Sequence, residues 1–561
     1  MGEYCFETWR AGIIPMSAAR DYENPFLDCR VEALFTPPEG TVGPDGCPVK
    51  PVRREAYWDG GRDFKLSFAP TVAGTWHYQV HAPADSGLEG ITGTVEAVPY
   101  SGDLAIYQHG FLRVSDDHRY LTYADGTPFF WLGDTHWGFV AGEKWDWSNH
   151  PQMDSMFRGM VDRRKAQKYT VYQTNLRATM EDYVPKEDDD PQFVRRMFAT
   201  HYWVDGKAGV MPDVAFFQNE VDQRMHYIAD AGLVNANGFT WAGSIIGHEE
   251  AHRNMAHYFI ARYGALPMVY NLAGEIAGYM PEQREAAIAG WRRFGKYLKA
   301  IDADGYHQLV TVHSTTRRPF EDYYYGEDWH DFVMNQAGHG DYSLEPAVFR
   351  DFFATHIGKP FVEAESMYEG CSTLEPNGTR KCTPEMMRRV AYLSIQSGGC
   401  GYTYGAQGIW DHVLEKPEKL PMSGFNQFGV TWYEAIDFPG AASLQYMREL
   451  YERWGFWRLH PAQEIIGPDT SRPGLWAVAA RLPYTSASEN RDVVLCYYYP
   501  EEAGSFVIRE LIDGASYTAE WFDPRTGAYE HYQDFTPADG QWIAPDRKDY
   551  GDWVLVVHTN A

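Results

Sequence analysis

The chain is short of cations. Its 561 residues carry 49 Lys and Arg against 77 Asp and Glu, a formal charge of −28. A nucleic-acid partner needs clustered Lys and Arg to displace condensed counterions, and an anionic membrane surface attracts the same residues. Neither partner is expected. No run of 18 apolar residues occurs, so no transmembrane helix is expected. The start, Met1-Gly-Glu-Tyr-Cys-Phe-Glu7, has no basic segment leading into an apolar one, and the chain as given is expected to be cytoplasmic. Cysteine is scarce: seven residues, at 5, 29, 47, 371, 382, 400 and 496, none spaced as CxxC. That pattern argues against a disulfide framework and reads as mostly reduced thiols, with a Cys371–Cys382 pair left open. No internal repeat or low-complexity segment stands out.

What is abundant is apolar and aromatic. Hydrophobic residues make up 44%, enough for large cores, and aromatics 16%, with 19 Trp and 38 Tyr. Rings in that number fill sandwich and barrel cores; they also stack on the C–H faces of sugars. The length predicts two to four domains.

Two stretches organise the rest. Leu266-Pro-Met-Val-Tyr-Asn-Leu-Ala-Gly-Glu275 enters at a Gly/Pro signal, runs through a short apolar segment of buried-strand type, and exits on a carboxylate. Lys359-Pro-Phe-Val-Glu-Ala-Glu365 repeats the pattern 365 − 275 = 90 residues later. A carboxylate just past a buried parallel strand stands where barrel enzymes keep their chemistry. Two of them suggest paired carboxylates facing one pocket.

Around these stretches the pattern falls into three parts. Residues 1–102 read as a β-sandwich, with strict alternation in Gly74-Thr-Trp-His-Tyr-Gln-Val80. Residues 103–458 alternate strand and helix. Eight strands are predicted to exit near 134, 175, 236, 275, 313, 336, 365 and 404, which is a (β/α)8 TIM barrel with Glu275 ending strand four and Glu365 strand seven. Residues 459–561 return to short strands, among them Asp492-Val-Val-Leu-Cys-Tyr-Tyr-Tyr499, and read as a second antiparallel β-sandwich. The acidic run Glu187-Asp-Asp-Asp190 reads as a solvated loop. His248-Glu-Glu-Ala-His252 matches a zinc-hydrolase signature, but with no third ligand evident it reads as an incidental helix start; no metal or cofactor is expected.

The ordered motifs resemble the apiosidase-like glycoside hydrolases. They are Phe68-Ala-Pro70 and Gly74-Thr-Trp-His-Tyr78 before the barrel, and Gly133-Asp-Thr-His-Trp137, Gly274-Glu275, Gln336-Ala-Gly-His339, Glu363-Ala-Glu365, Tyr368-Glu-Gly370 and Tyr404-Gly-Ala-Gln-Gly-Ile-Trp410 within it. Trp521-Phe-Asp-Pro-Arg-Thr-Gly527 follows it. Relatives often carry Gly-Asp where this chain has Gly274-Glu275, and glutamate reaches one methylene further.

The resemblance implies a retaining, exo-acting glycosidase that releases a terminal pentofuranose, apiose, from plant glycosides or pectic side chains. The alternatives are another β-glycosidase or arabinofuranosidase on the same barrel, or a carbohydrate-binding protein with an inactive barrel. Glycoside hydrolysis needs an acid at the leaving oxygen and a carboxylate at the anomeric carbon. The resemblance assigns Glu275 as acid/base and Glu365 as nucleophile, with Glu363 and Glu369 as rivals for the second role. Asp134, His136 and Trp137 are expected at the sugar, with Gln173 and Asn175 as hydroxyl ligands. His313, Gln336 and His339 stand at further strand ends, and Tyr404 and Trp410 are candidates for a stacking wall. The oligomeric state is not legible.

Overall fold

The computed structural model describes residues 4–177, 202–276, 281–313, 323–355, 358–373, 380–416, 427–468, 477–482, 492–499, 505–546 and 548–559. The acidic run 187–190 lies outside them.

A parallel barrel occupies the centre. Its strands, numbered from the first barrel strand, are β1 (Trp131–His136), β2 (Val171–Asn175), β3 (Val234–Trp241) and β4 (Met268–Gly274). They continue as β5 (Leu309–Thr311), β6 (Val333–Asn335), β7 (Phe361–Glu363) and β8 (Gly401–Tyr404). Each pairs with its sequence neighbour, and β1 also pairs with β8. Among the described residues, only β5 and β6 lack a ladder; one parallel bridge, His313 to Met334, spans that gap. The barrel is therefore nearly closed, and its eight strands are those the sequence predicts.

Parity along each strand separates two environments. Trp131, Val171, Val269, Leu309, Met334 and Val362 fall in one apolar cluster, the barrel interior continued into the N-terminal core. Leu132, Tyr172, Tyr270, Val310 and Tyr402 fall in another, shared with the surrounding helices. Among those helices are α1 (Met156–Ala166), α2 (Pro384–Gln396) and α3 (Pro439–Arg453). Local chemistry starts them: Ser155 accepts from the Arg158 N–H ahead of α1, and Thr383 accepts from the Met386 N–H ahead of α2.

The N-terminal strands form one continuous seven-stranded sheet where two separate sheets were expected. The reason lies in Val52–Trp58. Its first half pairs with Glu32–Thr36 and its second half with Asp63–Phe68. The sheet folds over at this strand, so Phe35 of one half stacks on Phe68 of the other, centroids 3.8 Å apart. Trp76, Tyr78 and Val80, alternate residues of the Gly74–His81 strand, bury into the same core. The Arg54 guanidinium donates to the Ile260 carbonyl at 2.8 Å, and the Tyr306 hydroxyl accepts from the Ala69 N–H at 2.6 Å, tying this sheet to the barrel.

At the other end of the chain a six-stranded and a three-stranded sheet share one apolar cluster that includes Ile466, Cys496, Ile508, Trp521 and Leu555. The six-stranded sheet leans on α2. Tyr392 stacks on Tyr497 at 4.7 Å, and Arg388 is paired bidentately with Asp552 at 2.6 and 2.8 Å.

Candidate active site

The inward parity of each barrel strand, extended one step past its end, reaches the mouth. Trp137 follows β1, Asn175 closes β2, Glu275 follows β4, and His313 and Gln336 follow β5 and β6. All five are buried. Glu275 adopts φ +48°, in the left-handed region that glutamate rarely occupies. Strain of this kind concentrates at functional sites.

Glu365 does not follow from parity. Counted from Val362 and Ala364 in the interior cluster, it belongs to the opposite face. A bulge reverses it: the N–H groups of Ala364 and Glu365 both donate to the Asn335 carbonyl, at 2.7 and 3.3 Å. One extra residue opposite a single partner turns the next side chain to the other face.

Once in the mouth, the Glu365 carboxylate meets one hydroxyl and two imidazoles. The Tyr368 hydroxyl donates to Oε1 at 2.5 Å. His313 Nε2 lies 3.0 Å from Oε2, and His339 Nε2 lies 3.3 Å from Oε1. Burial alone opposes ionisation, but the imidazoles of His313 and then His339 outweigh it. They hold this carboxyl far below the usual glutamate range.

Tyr368 links Glu365 to Trp137. Its hydroxyl also accepts from Trp137 Nε1 at 3.0 Å. Burial, then the charge and hydrogen bond of Glu365, raise this phenol well above its usual range, and Glu275 adds to the same effect. Trp137 meets His313 edge-on at 5.3 Å and Trp241 at 5.4 Å, while Arg177 lies 4.7 Å above the Trp241 ring. On the other side His339 and half-buried Trp410 flank Tyr368, at 4.8 and 6.0 Å between centroids. Gln336 Nε2 donates to Glu275 Oε1 at 3.0 Å.

Several expected sugar contacts are placed elsewhere. Asp134 and His136 share the parity of Leu132 and point into the helix layer, where both are wholly buried. Asp134 Oδ2 accepts from Arg164 Nε of α1 at 2.6 Å and contacts His136 Nε2 at 3.0 Å. His136 Nδ1 meets Glu143 at 2.5 Å, and Tyr172 donates to the same carboxylate. Burial opposes every charge in this chain. For Asp134 the charges of Arg164 and His136 win and lower it. For His136 the charges of Glu143 and Asp134 win and raise it to about 9. For Glu143 burial wins and raises it.

Tyr404 likewise faces outward. Its hydroxyl donates to Glu369 Oε2 at 2.6 Å, and Glu369 Oε1 accepts from the Gly440 N–H at 3.2 Å, capping the start of α3. Gln173 points inward but lies below the mouth, donating to the Ala364 carbonyl at 3.0 Å and accepting from Thr403 at 3.2 Å. Asn175 ties the loop after β2 to the end of β3, donating to the Thr240 carbonyl at 2.8 Å and accepting from the Arg177 N–H at 2.7 Å.

Glu363 shares the outward parity of Phe361, which packs on Phe352 at 5.0 Å. Its carboxyl accepts from the Asn335 amide and, at 2.9 Å, from the Ala337 N–H. Burial nonetheless drives it well above the usual carboxylate range.

In the zinc-like motif, His248 precedes the helix Glu249–Tyr263. His252 Nδ1 contacts the His248 carbonyl at 2.8 Å and Nε2 contacts Ser244 Oγ at 3.2 Å, so both ring nitrogens are engaged. Trp241 and the hydroxyl role of Tyr368 were not read from the sequence. Tyr368 carries a signal, lying three residues past Glu365; Trp241 carries none.

The model of the apiosidase-like catalytic domain family matches residues 115–458. The chain belongs to that family and is a glycoside hydrolase. A domain of unknown function, DUF5060, matches residues 6–83, and a family described as "Putative collagen-binding domain of a collagenase" matches residues 461–558. Among solved structures, a "putative glycoside hydrolase" from Bacteroides vulgatus aligns with a TM-score of 0.69 at 16% identity, covering 99% of this chain and 100% of its own. A glycoside hydrolase family 5 protein from the same organism aligns with a TM-score of 0.62 at 21% identity, covering 80% and 94%. At those identities the likeness shows the fold alone. No curated protein matches the chain.

Proposed function

We propose that this glycoside hydrolase is a retaining, exo-acting enzyme that releases a terminal pentofuranose, apiose, from plant glycosides or pectic side chains, with Glu275 as acid/base and Glu365 as nucleophile. The observation that carries the reading is a buried glutamate just past each of two barrel strands, Glu365 bonded by Tyr368 beside two imidazoles and Glu275 bonded by Gln336. A nucleophile must be ionised in the resting enzyme, and the two imidazoles beside Glu365 favour that form.

In this reading, Glu365 attacks the anomeric carbon as Glu275 gives a proton to the departing oxygen. The glycosyl–Glu365 ester is then cleaved by a water that Glu275 deprotonates. Trp137, Trp241 and Trp410 supply ring faces around the sugar. Apiose itself rests on family membership, and Glu275, reaching further than the aspartate common among relatives, favours testing arabinofuranosides beside apiosides.

The test is hydrolysis of aryl apiosides, arabinofuranosides, xylosides, glucosides and galactosides, with the anomer first formed read by proton NMR. Release from the apioside with retained configuration supports the reading. Release only from another sugar overturns the substrate. An inverted product overturns the nucleophile, since inverting enzymes hold their carboxyls about 6.5–9.5 Å apart with a water between.

A further inference from the structure

We propose that Gln336 is the positioning residue of the acid/base carboxyl: its amide fixes Glu275 Oε1 and leaves Oε2 as the oxygen that passes the proton to the departing glycosidic oxygen. This rests on the acid/base reading of Glu275.

Three observations carry it. First, the contact is single-sided. Gln336 Nε2 donates to Glu275 Oε1 at 3.0 Å, while Oε2 is buried and has no hydrogen-bond partner among the described residues. A protonated carboxyl offers one carbonyl oxygen and one hydroxyl. An N–H donor pairs with the carbonyl oxygen, so the proton resides on Oε2.

Second, the donor suits both halves of a double displacement. An amide neither gains nor loses a proton at working pH. It donates to Oε1 whether Glu275 is an acid or a carboxylate, and it does not compete for the travelling proton as an imidazole or a second carboxyl does. In the first step the Oε2–H bond breaks, its proton joins the glycosidic oxygen, and the C1–O pair leaves with the alcohol. In the second step Oε2 takes a proton from water as the water oxygen bonds C1 and Glu365 departs as carboxylate.

Third, Gln336 is anchored from below. Buried Glu363 bonds the residues on both sides of it, the Asn335 amide with one oxygen and the Ala337 N–H with the other. Gln336, whose side chain faces inward after Met334, thus lies between two anchored neighbours, and the Asn335 carbonyl also accepts from the Ala364 N–H at 2.7 Å. Glu275, at φ +48°, is itself a strained position that the surroundings must hold in place. A carboxyl so placed needs a fixed partner to keep one oxygen aimed at the substrate.

The experiment is a leaving-group series, from dinitrophenyl to phenyl to methylphenyl, built on the sugar that the wild type cleaves. It is run on the wild type, Gln336→Met and a Glu275→Ala control. A misaimed acid slows poor leaving groups, which need a proton, and spares dinitrophenolate, which does not. Gln336→Met is expected to lose about 10- to 100-fold in kcat/KM on the phenyl glycoside, part of the 10²–10⁴ that general acids contribute, and less than about threefold on the dinitrophenyl one.

If Glu275→Ala shows no such dependence, the acid/base reading of Glu275 falls. If Glu275→Ala shows it and Gln336→Met loses activity evenly across the series, or only in KM, then Gln336 binds sugar and the positioning role is overturned. Melting curves establish that Gln336→Met folds. If it does not, Gln336→Ser, which leaves room for a water, takes its place under the same two outcomes.

Discussion

Glu363 and Glu365 stand two residues apart in the chain yet serve different layers of the molecule. Glu363 is held by Asn335 and the Ala337 N–H beneath the mouth, and Glu365 meets His313, His339 and Tyr368 within it. The bulge at Ala364 and Glu365 separates them. Replacing Glu365 by Gln is therefore expected to lower turnover by about 10³-fold or more with an unchanged melting profile. The same change at Glu363 is expected to cost stability first. Near-normal activity in Glu365→Gln removes it from the nucleophile's role.

Tyr368→Phe keeps the ring against His339 and Trp410 but removes the donor to Glu365. A hydrogen bond to a charged group is worth about 1.5–3 kcal/mol, so kcat/KM is expected to fall roughly 10- to 150-fold. Steady-state kinetics beside a folded-state control read this directly; an unchanged kcat/KM detaches the phenol from the reaction.

The pH dependence of activity follows from the imidazoles. Burial opposes ionisation of Glu365, but His313 and His339 prevail and depress it. Its ionised form persists as pH falls through the ordinary glutamate range near about 4.3, so the acidic limb of kcat/KM is expected below that range. In His313→Asn the limb is expected to move upward. A limb that stays in place in this variant refutes the coupling.

Asp134 serves the fold. Asp134→Asn leaves the Arg164 guanidinium buried beside a neutral amide. Breaking a buried pair from one side costs about 3–5 kcal/mol. Urea unfolding is expected to show that loss with KM unchanged; a raised KM in a stable variant restores Asp134 to the sugar site.

His136 adds a window of pH-dependent stability. Its folded-state value is raised from 6.5 to about 9 by the charges of Glu143 and Asp134, which overcome burial. The stabilisation is fully present below about 6.5 and is lost as pH climbs through about 9. Denaturation midpoints across that range are expected to fall in the wild type and to run flatter in His136→Gln.

The barrel and its two carboxylates were legible because a buried parallel strand is a short apolar run with a polar exit. That signature stands in one chain segment at a time: β4 to Glu275 and β7 to Glu365. Which polar residues at such exits face the mouth is another matter. In β1, Gly133 and Thr135 share one face and Asp134 and His136 the other, and a strand end that reads Asp-Thr-His-Trp does not say which face is the interior. Arg164, 30 residues on in α1, makes the outward face habitable for Asp134. Tyr404 was misplaced for the same reason, its partner Glu369 lying on another loop.

The sequence by itself determined the element order, the eight-strand alternation, the net negative charge and the spacing of Glu275 and Glu365, because each is a property of local pattern or composition. Only the tertiary structure decided that Glu365 turns inward while Glu363 does not, that Gln336 meets Glu275, and that the N-terminal strands fold as one sheet about Val52–Trp58. Each depends on a hydrogen-bond partner from a distant segment: the Asn335 carbonyl for Glu365, the Glu275 carboxyl for Gln336, and two different strands for the halves of Val52–Trp58. Such partners meet only when the chain closes, which is why local periodicity carries no trace of them.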